Sequence, residues 1–138
     1  MKKTALLLTA AAALFATSVA AQETTAPGAN ISVVSDQELP NVPGKSLRAV
    51  LVEYEPGAGS PSHRHPQSAF IYARVLEGAI RSNVNDEPEH TYQAGGSWTE
   101  KPGDHHQLSH NASNTEPAKL LALLVVDTSD REIVIPDK

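Results

Sequence analysis

Two stretches decide how this chain is read: Gly57-Ala58-Gly59-Ser60-Pro61-Ser62-His63-Arg64-His65-Pro66 and, further on, Gly95-Gly96-Ser97-Trp98-Thr99-Glu100-Lys101-Pro102-Gly103-Asp104-His105-His106. On an extended strand, residues i and i+2 project from the same face. His63 and His65 therefore present two imidazoles side by side, close enough for one metal ion to bridge. Imidazole suits Zn, Cu, Fe and Ni. In the second stretch a Gly turn, a short strand and a Pro-Gly turn lead into His106. That order is what a second hairpin needs to bring a third imidazole opposite the first two.

Outward from these stretches the chain reads as strands separated by Pro/Gly turns. Ile31–Ser35 is a weak strand, and Ser46–Tyr54 a stronger one, broken by Glu55-Pro56-Gly57. Ala69–Leu76 and Ala79–Asn85 flank Glu77-Gly78 in the manner of a hairpin. His90–Gln93 and Ser97–Thr99 lie on either side of Gly95-Gly96, and His106–Asn111 follows Pro102-Gly103. The run Leu120-Leu121-Ala122-Leu123-Leu124-Val125-Val126 is short and ends in β-branched residues, so it is expected as a strand buried on both faces rather than a helix. Strands at this spacing, with turn residues throughout, point to a sandwich or a closed barrel.

Composition narrows the functions. The chain has 138 residues, enough for one domain. It has no Cys, which excludes a disulfide framework, a Cys-ligated zinc site, an iron–sulfur cluster and a thiol nucleophile. Eleven basic against sixteen acidic residues argue against nucleic acid as a partner, because phosphate binding needs a basic surface. No G-x-S-x-G nucleophile elbow and no Gly-rich phosphate loop is present. Residues 1–21 read as a cleaved signal peptide: Met1-Lys2-Lys3, an apolar run from Ala5 to Phe15, then Ala16-Thr17-Ser18-Val19-Ala20-Ala21. Cleavage after Ala20 or Ala21 fits equally. The apolar run is shorter than the ~20 residues that span a membrane. The expectation is an exported protein, periplasmic or secreted, free of the membrane once cleaved. Its lead-in would be 22–45, its barrel 46–127 and its C-terminal tail 128–138.

The order of these elements resembles the cupin superfamily. The family's first motif is Gly, five residues, H-x-H, three or four residues, Glu, six residues, Gly. Gly57, His63, His65 and Gly78 match it. The second is Gly, five residues, P-x-G, two residues, His, three residues, Asn. Gly95, Gly103 and His106 match it. The resemblance covers about Ser46 to Asp127 and implies a single-domain all-β jelly-roll barrel, with one divalent transition metal (Fe, Zn, Mn, Cu or Ni) held by His63, His65 and His106. The chain departs from the pattern in three places. No acidic residue stands between His65 and Glu77; counting back from Gly78, the Glu position is Ile71, and counting forward from His65 it is Ala69 or Phe70. Lys101 replaces the Pro, and His110 replaces the Asn.

A three-histidine site leaves the full 2+ charge of the ion uncompensated, which acidifies bound water and leaves positions open for a substrate. The leading expectation from the resemblance is a dioxygenase-like enzyme on a small molecule, with His110 or Tyr72 assisting proton transfer. His110 has the parity of His106, so it is placed toward the cavity. Gln67 is the nearest polar candidate for a replacement ligand; Glu100 could serve as an acid or base near the mouth, with an exposed turn carboxylate as the default. The alternative is a non-catalytic module binding a sugar or an organic acid. In either case the Leu120–Val126 run offers more apolar surface than one small barrel face needs, and a homodimer would bury it.

Overall fold

The computed structural model describes residues 27–138, so the leader segment lies outside the described residues. Among the described residues eleven strands form: β1 Ala29–Glu38, β2 Lys45–Tyr54, β3 Gly59–Ser60, β4 His63–Arg64, β5 Phe70–Glu77, β6 Ala79–Val84, β7 His90–Gln93, β8 Ser97–Glu100, β9 His105–Asn111, β10 Ala118–Asp127 and β11 Ile135–Pro136. Among the described residues there is no helix. Two antiparallel sheets face each other. The first runs β1-β2-β10-β5-β8; the second runs β11-β4-β9-β6-β7, with β3 also paired to β9.

The period-2 pattern decides which side chains meet. In β2, Ser46, Arg48, Val50, Val52 and Tyr54 are buried, and their neighbours are less so. In β5, Ile71, Ala73 and Val75 are buried, and in β10 Leu120, Leu124 and Val126. These residues point from the first sheet into the space between the sheets, where the core lies. The β10 run is therefore not buried on both faces. Leu121, Leu123 and Val125 lie only half-buried on its outer side, which no other element among the described residues covers fully.

The two expected hairpins are corners. β5 belongs to the first sheet and β6 to the second; β8 belongs to the first and β9 to the second. Gly78 sits at the corner between β5 and β6 with φ 68°, and a Cβ there would come within 2.6 Å of the Pro117 carbonyl oxygen. Only glycine meets both demands, so this position both turns the chain and lets another segment pass close.

The segment after β10 is also more than a tail. Buried Arg48 donates Nε–H to Asp36 Oδ2 at 3.0 Å and Nη2–H to the Thr128 carbonyl at 3.2 Å, and it also bonds the Asp130 carbonyl. Ser68 Oγ donates to Asp130 Oδ2 at 2.6 Å. From this anchor the chain crosses to the second sheet, where β11 pairs with β4, Pro136 opposite His63.

Candidate metal centre

His63, His65 and His106 converge. Each offers a ring nitrogen within 4.8 Å of those of the other two. The His63 and His65 rings meet edge-on with centroids 4.9 Å apart, and His63 and His106 lie 5.1 Å apart. The strands explain this. His63 on β4 pairs directly with His106 on β9, and His65 follows two residues on. Two of the three rings have their tautomer set by a backbone carbonyl. His63 Nδ1 lies 2.7 Å from the Pro61 carbonyl oxygen, and His65 Nδ1 lies 2.5 Å from that of Ile133. A carbonyl can only accept, so each Nδ1 carries the hydrogen and each Nε2 presents its lone pair. His106 Nε2 is 2.9 Å from Ser82 Oγ, and its Nδ1 faces Glu100 Oε1 at 3.2 Å.

Burial keeps these rings neutral. Desolvation lowers the pKa of His63 and His65 below the usual histidine range. For His106 burial, aided by its two histidine neighbours, lowers it to about 3. Neutral imidazole is the form that binds metal.

The structure corrects the default expectation for Glu100. The residue is not an exposed turn carboxylate but the buried end of β8, with its side chain 3% exposed. Trp98 Nε1–H donates to its Oε1 at 3.1 Å. Its Oε2 lies 3.4 Å from His65 Nε2 and has no hydrogen-bond partner. Burial raises its pKa. Three neutral imidazoles and a buried carboxylate oxygen without a partner form a donor set that fits a divalent first-row ion.

The other sequence candidates lie elsewhere. Tyr72 is on the outer side of β5, where Arg74 Nη1 lies 3.5 Å from its hydroxyl; Ile71 and Ala73, its neighbours, are the ones that face inward. His110 also leaves the cavity. Asn83 pairs with Leu108 and Val84 with His106, so Gln107 is an extra residue in β9 and the inward parity moves from His106 to Ser109. The His110 ring packs over Gly59, where a Cβ would lie 2.4 Å from it. Gln67 is exposed beside Gly103. His105 lies 2.9 Å from Ser62 Oγ and 2.7 Å from Asp137 Oδ2, both measured from Nε2. That is an anchor for the C-terminal segment, since a relay would need both ring nitrogens.

The histidines and Glu100 line a cavity of about 360 Å³. Val50, Val52, Ile71, Ala73, Leu120, Ala122 and Leu124 from the first sheet give it an apolar wall. Ile133, Val134 and Pro136 from the C-terminal segment also line it. A second polar spot is Tyr54, whose hydroxyl lies 2.7 Å from Ser60 Oγ and 2.9 Å from Ser109 Oγ. Among the described residues, no Lys or Arg lines the cavity.

Residues 50–126 match the family described as Cupin domain. The chain is a cupin. Solved structures agree on the fold. An uncharacterized conserved protein with a double-stranded β-helix domain from Klebsiella pneumoniae subsp. pneumoniae is 20% identical, with a TM-score of 0.60 over 78% of this chain and 83% of that one. KdgF from Halomonas sp. is 17% identical, with a TM-score of 0.59 over 79% and 89%. An oxalate oxidase is 18% identical, with a TM-score of 0.60 over 82% of this cupin and 57% of that chain. No curated protein matches the sequence. At these identities the likeness establishes the fold, and function rests on the site.

Proposed function

We propose that this cupin is an exported, metal-dependent enzyme that oxidises a small, largely apolar and uncharged molecule with dioxygen. The observation that carries the reading is the placement of three imidazoles, two with carbonyl-fixed tautomers, on an apolar cavity of small-molecule size. A divalent ion held there by His63, His65 and His106 would supply Lewis acidity toward a substrate oxygen and, as iron or copper, one-electron chemistry with dioxygen. The apolar wall excludes water and orients the substrate's hydrocarbon part, and the Tyr54 hydroxyl with Ser60 and Ser109 offers hydrogen bonds to a second polar group. With no Lys or Arg on the cavity among the described residues, an organic acid finds no counter-charge besides the metal, and the apolar wall suits a polyhydroxylated sugar poorly. Both points weigh against the sugar- or acid-binding alternative.

The test uses protein isolated from the periplasmic fraction without a His tag, its mature N-terminus read by mass spectrometry. Loaded with iron, it should consume dioxygen in the presence of a substrate from a panel of small phenols, ketones and enols, and both oxygen atoms should appear in the product. Substrates that raise the melting temperature without any product would instead identify a binding module.

A homodimer accompanies this proposal. Leu47, Phe70, Leu123 and Val125 form an apolar patch on the outer side of the first sheet, with Val125 paired to Leu47 on one side and to Phe70 on the other and Leu123 two residues along the same strand. A patch centred on one sheet face is readily buried by a two-fold copy. Light scattering behind size-exclusion chromatography should give twice the chain mass, and Leu123→Lys should halve it. A monomer at high concentration would remove the idea.

A further inference from the structure

We infer that Glu100 supplies the metal-binding carboxylate which the first cupin motif of this chain lacks, delivered from β8 instead of β5. This rests on the metal-dependent reading above and names a ligand that the motif pattern does not.

Register is the first argument. Ile71 stands where the motif's Glu would be, counted back from Gly78, and Ile71 pairs directly with Glu100 across β5 and β8. Side chains directly opposite on neighbouring strands share a face, with Cβ atoms about 5 Å apart. A carboxylate at 100 therefore reaches the space that an acidic residue at 71 would have served. Both residues line the cavity.

Partner accounting is the second. Oε1 is occupied by the Trp98 indole N–H, and Oε2 has no hydrogen bond. What Oε2 faces at 3.4 Å is His65 Nε2, whose ring has already committed its hydrogen to the Ile133 carbonyl. Two lone pairs thus point at each other in a buried place. A cation between them satisfies both. Burying a carboxylate oxygen unpartnered is otherwise a pure cost.

Charge is the third. Among the described residues, Glu100 is the only acidic residue lining the cavity, and no Lys or Arg balances it. A divalent ion on three neutral histidines would hold two positive charges in an apolar setting, and Glu100 lowers that to one. Carboxylate favours the harder ions, so Mn²⁺ and Fe²⁺ gain more from it than Cu²⁺.

The experiment is calorimetric titration of the metal-free full-length mature protein with Mn²⁺ and with Cu²⁺, comparing wild type, Glu100→Gln and the exchange Ile71→Glu with Glu100→Gln. Glu100→Gln keeps the shape and an acceptor for Trp98. It should weaken Mn²⁺ binding by more than about 10-fold and Cu²⁺ binding by less, while the metal-free variant melts no lower than wild type. The exchange should recover most of the Mn²⁺ affinity. Equal Mn²⁺ affinity in wild type and Glu100→Gln overturns this inference alone, leaving Glu100 as the acceptor that fixes Trp98. No binding of either ion by the wild type overturns the metal reading with it.

Discussion

Replacing His106 by Ala should abolish stoichiometric metal binding, lowering affinity by more than about 100-fold, and leave the barrel folded; even outer partners of metal ligands cost 10–100-fold when removed. His106 is the only one of the three histidines on β9, and its direct pairing with His63 ties the two ligand-bearing strands together. Its loss would leave His63, His65 and Glu100 to hold an ion. The fold tolerates the change because the ring borders the existing cavity, so water can take its place beside Ser82. The strand itself is held by backbone bonds to β4 and β6, which the substitution leaves intact. Metal analysis and circular dichroism of the purified variant check both halves. A variant that keeps one equivalent of metal would remove His106 from the site.

The same burial sets the pH dependence. The three histidines are held neutral below their ordinary range, with His106 at about 3. At pH 7 the ion displaces no proton from the three rings, so a heat that varies between buffers of different ionisation enthalpy would report a proton leaving Glu100, whose pKa burial raises. Affinity should hold as pH falls through the ordinary histidine value near 6.5, and decline only below it. The metal-free fold behaves differently. Its histidines are harder to protonate folded than unfolded, so their contribution to stability is present above pH 6.5 and lost as pH falls below it.

What the sequence disclosed depended on distance along the chain. The two histidines of β4 are spaced by the strand period itself, so their shared face is a local property. His106 is announced by the Pro-Gly turn before it. Glu100 carries no such local mark; only the register of β8 against β5 places it in the site, and register is decided by long-range pairing. The Gly turns at 78 and 103 point to hairpins in the sequence because a positive-φ glycine serves a hairpin and a corner between sheets equally well. His110 failed for a different reason: one extra residue at Gln107 reverses the parity on which its inward placement relied.

The C-terminal segment, invisible as a functional element in the sequence, should matter almost as much as a ligand. Deleting residues 131–138 removes the Ile133 carbonyl that holds the His65 ring, the β11 strand paired with β4, and three of the residues lining the cavity. Without its acceptor His65 can take either tautomer and several ring orientations, and the cavity opens to water. The expected loss of metal affinity is about 10–100-fold, the usual effect of removing an outer partner of a ligating histidine. The metal-free melting temperature should fall only slightly, because the Arg48 and Ser68 anchors on Thr128 and Asp130 remain and most of the deleted residues are exposed. Asp137→Ala separates the two effects. It releases the bonds to Ser62 and His105 but keeps the Ile133 carbonyl in the chain, so its loss of affinity should be the smaller. If the deletion bound metal as tightly as the full chain, the orientation of His65 would have to come from its own strand, and the segment would be a cover for the substrate alone.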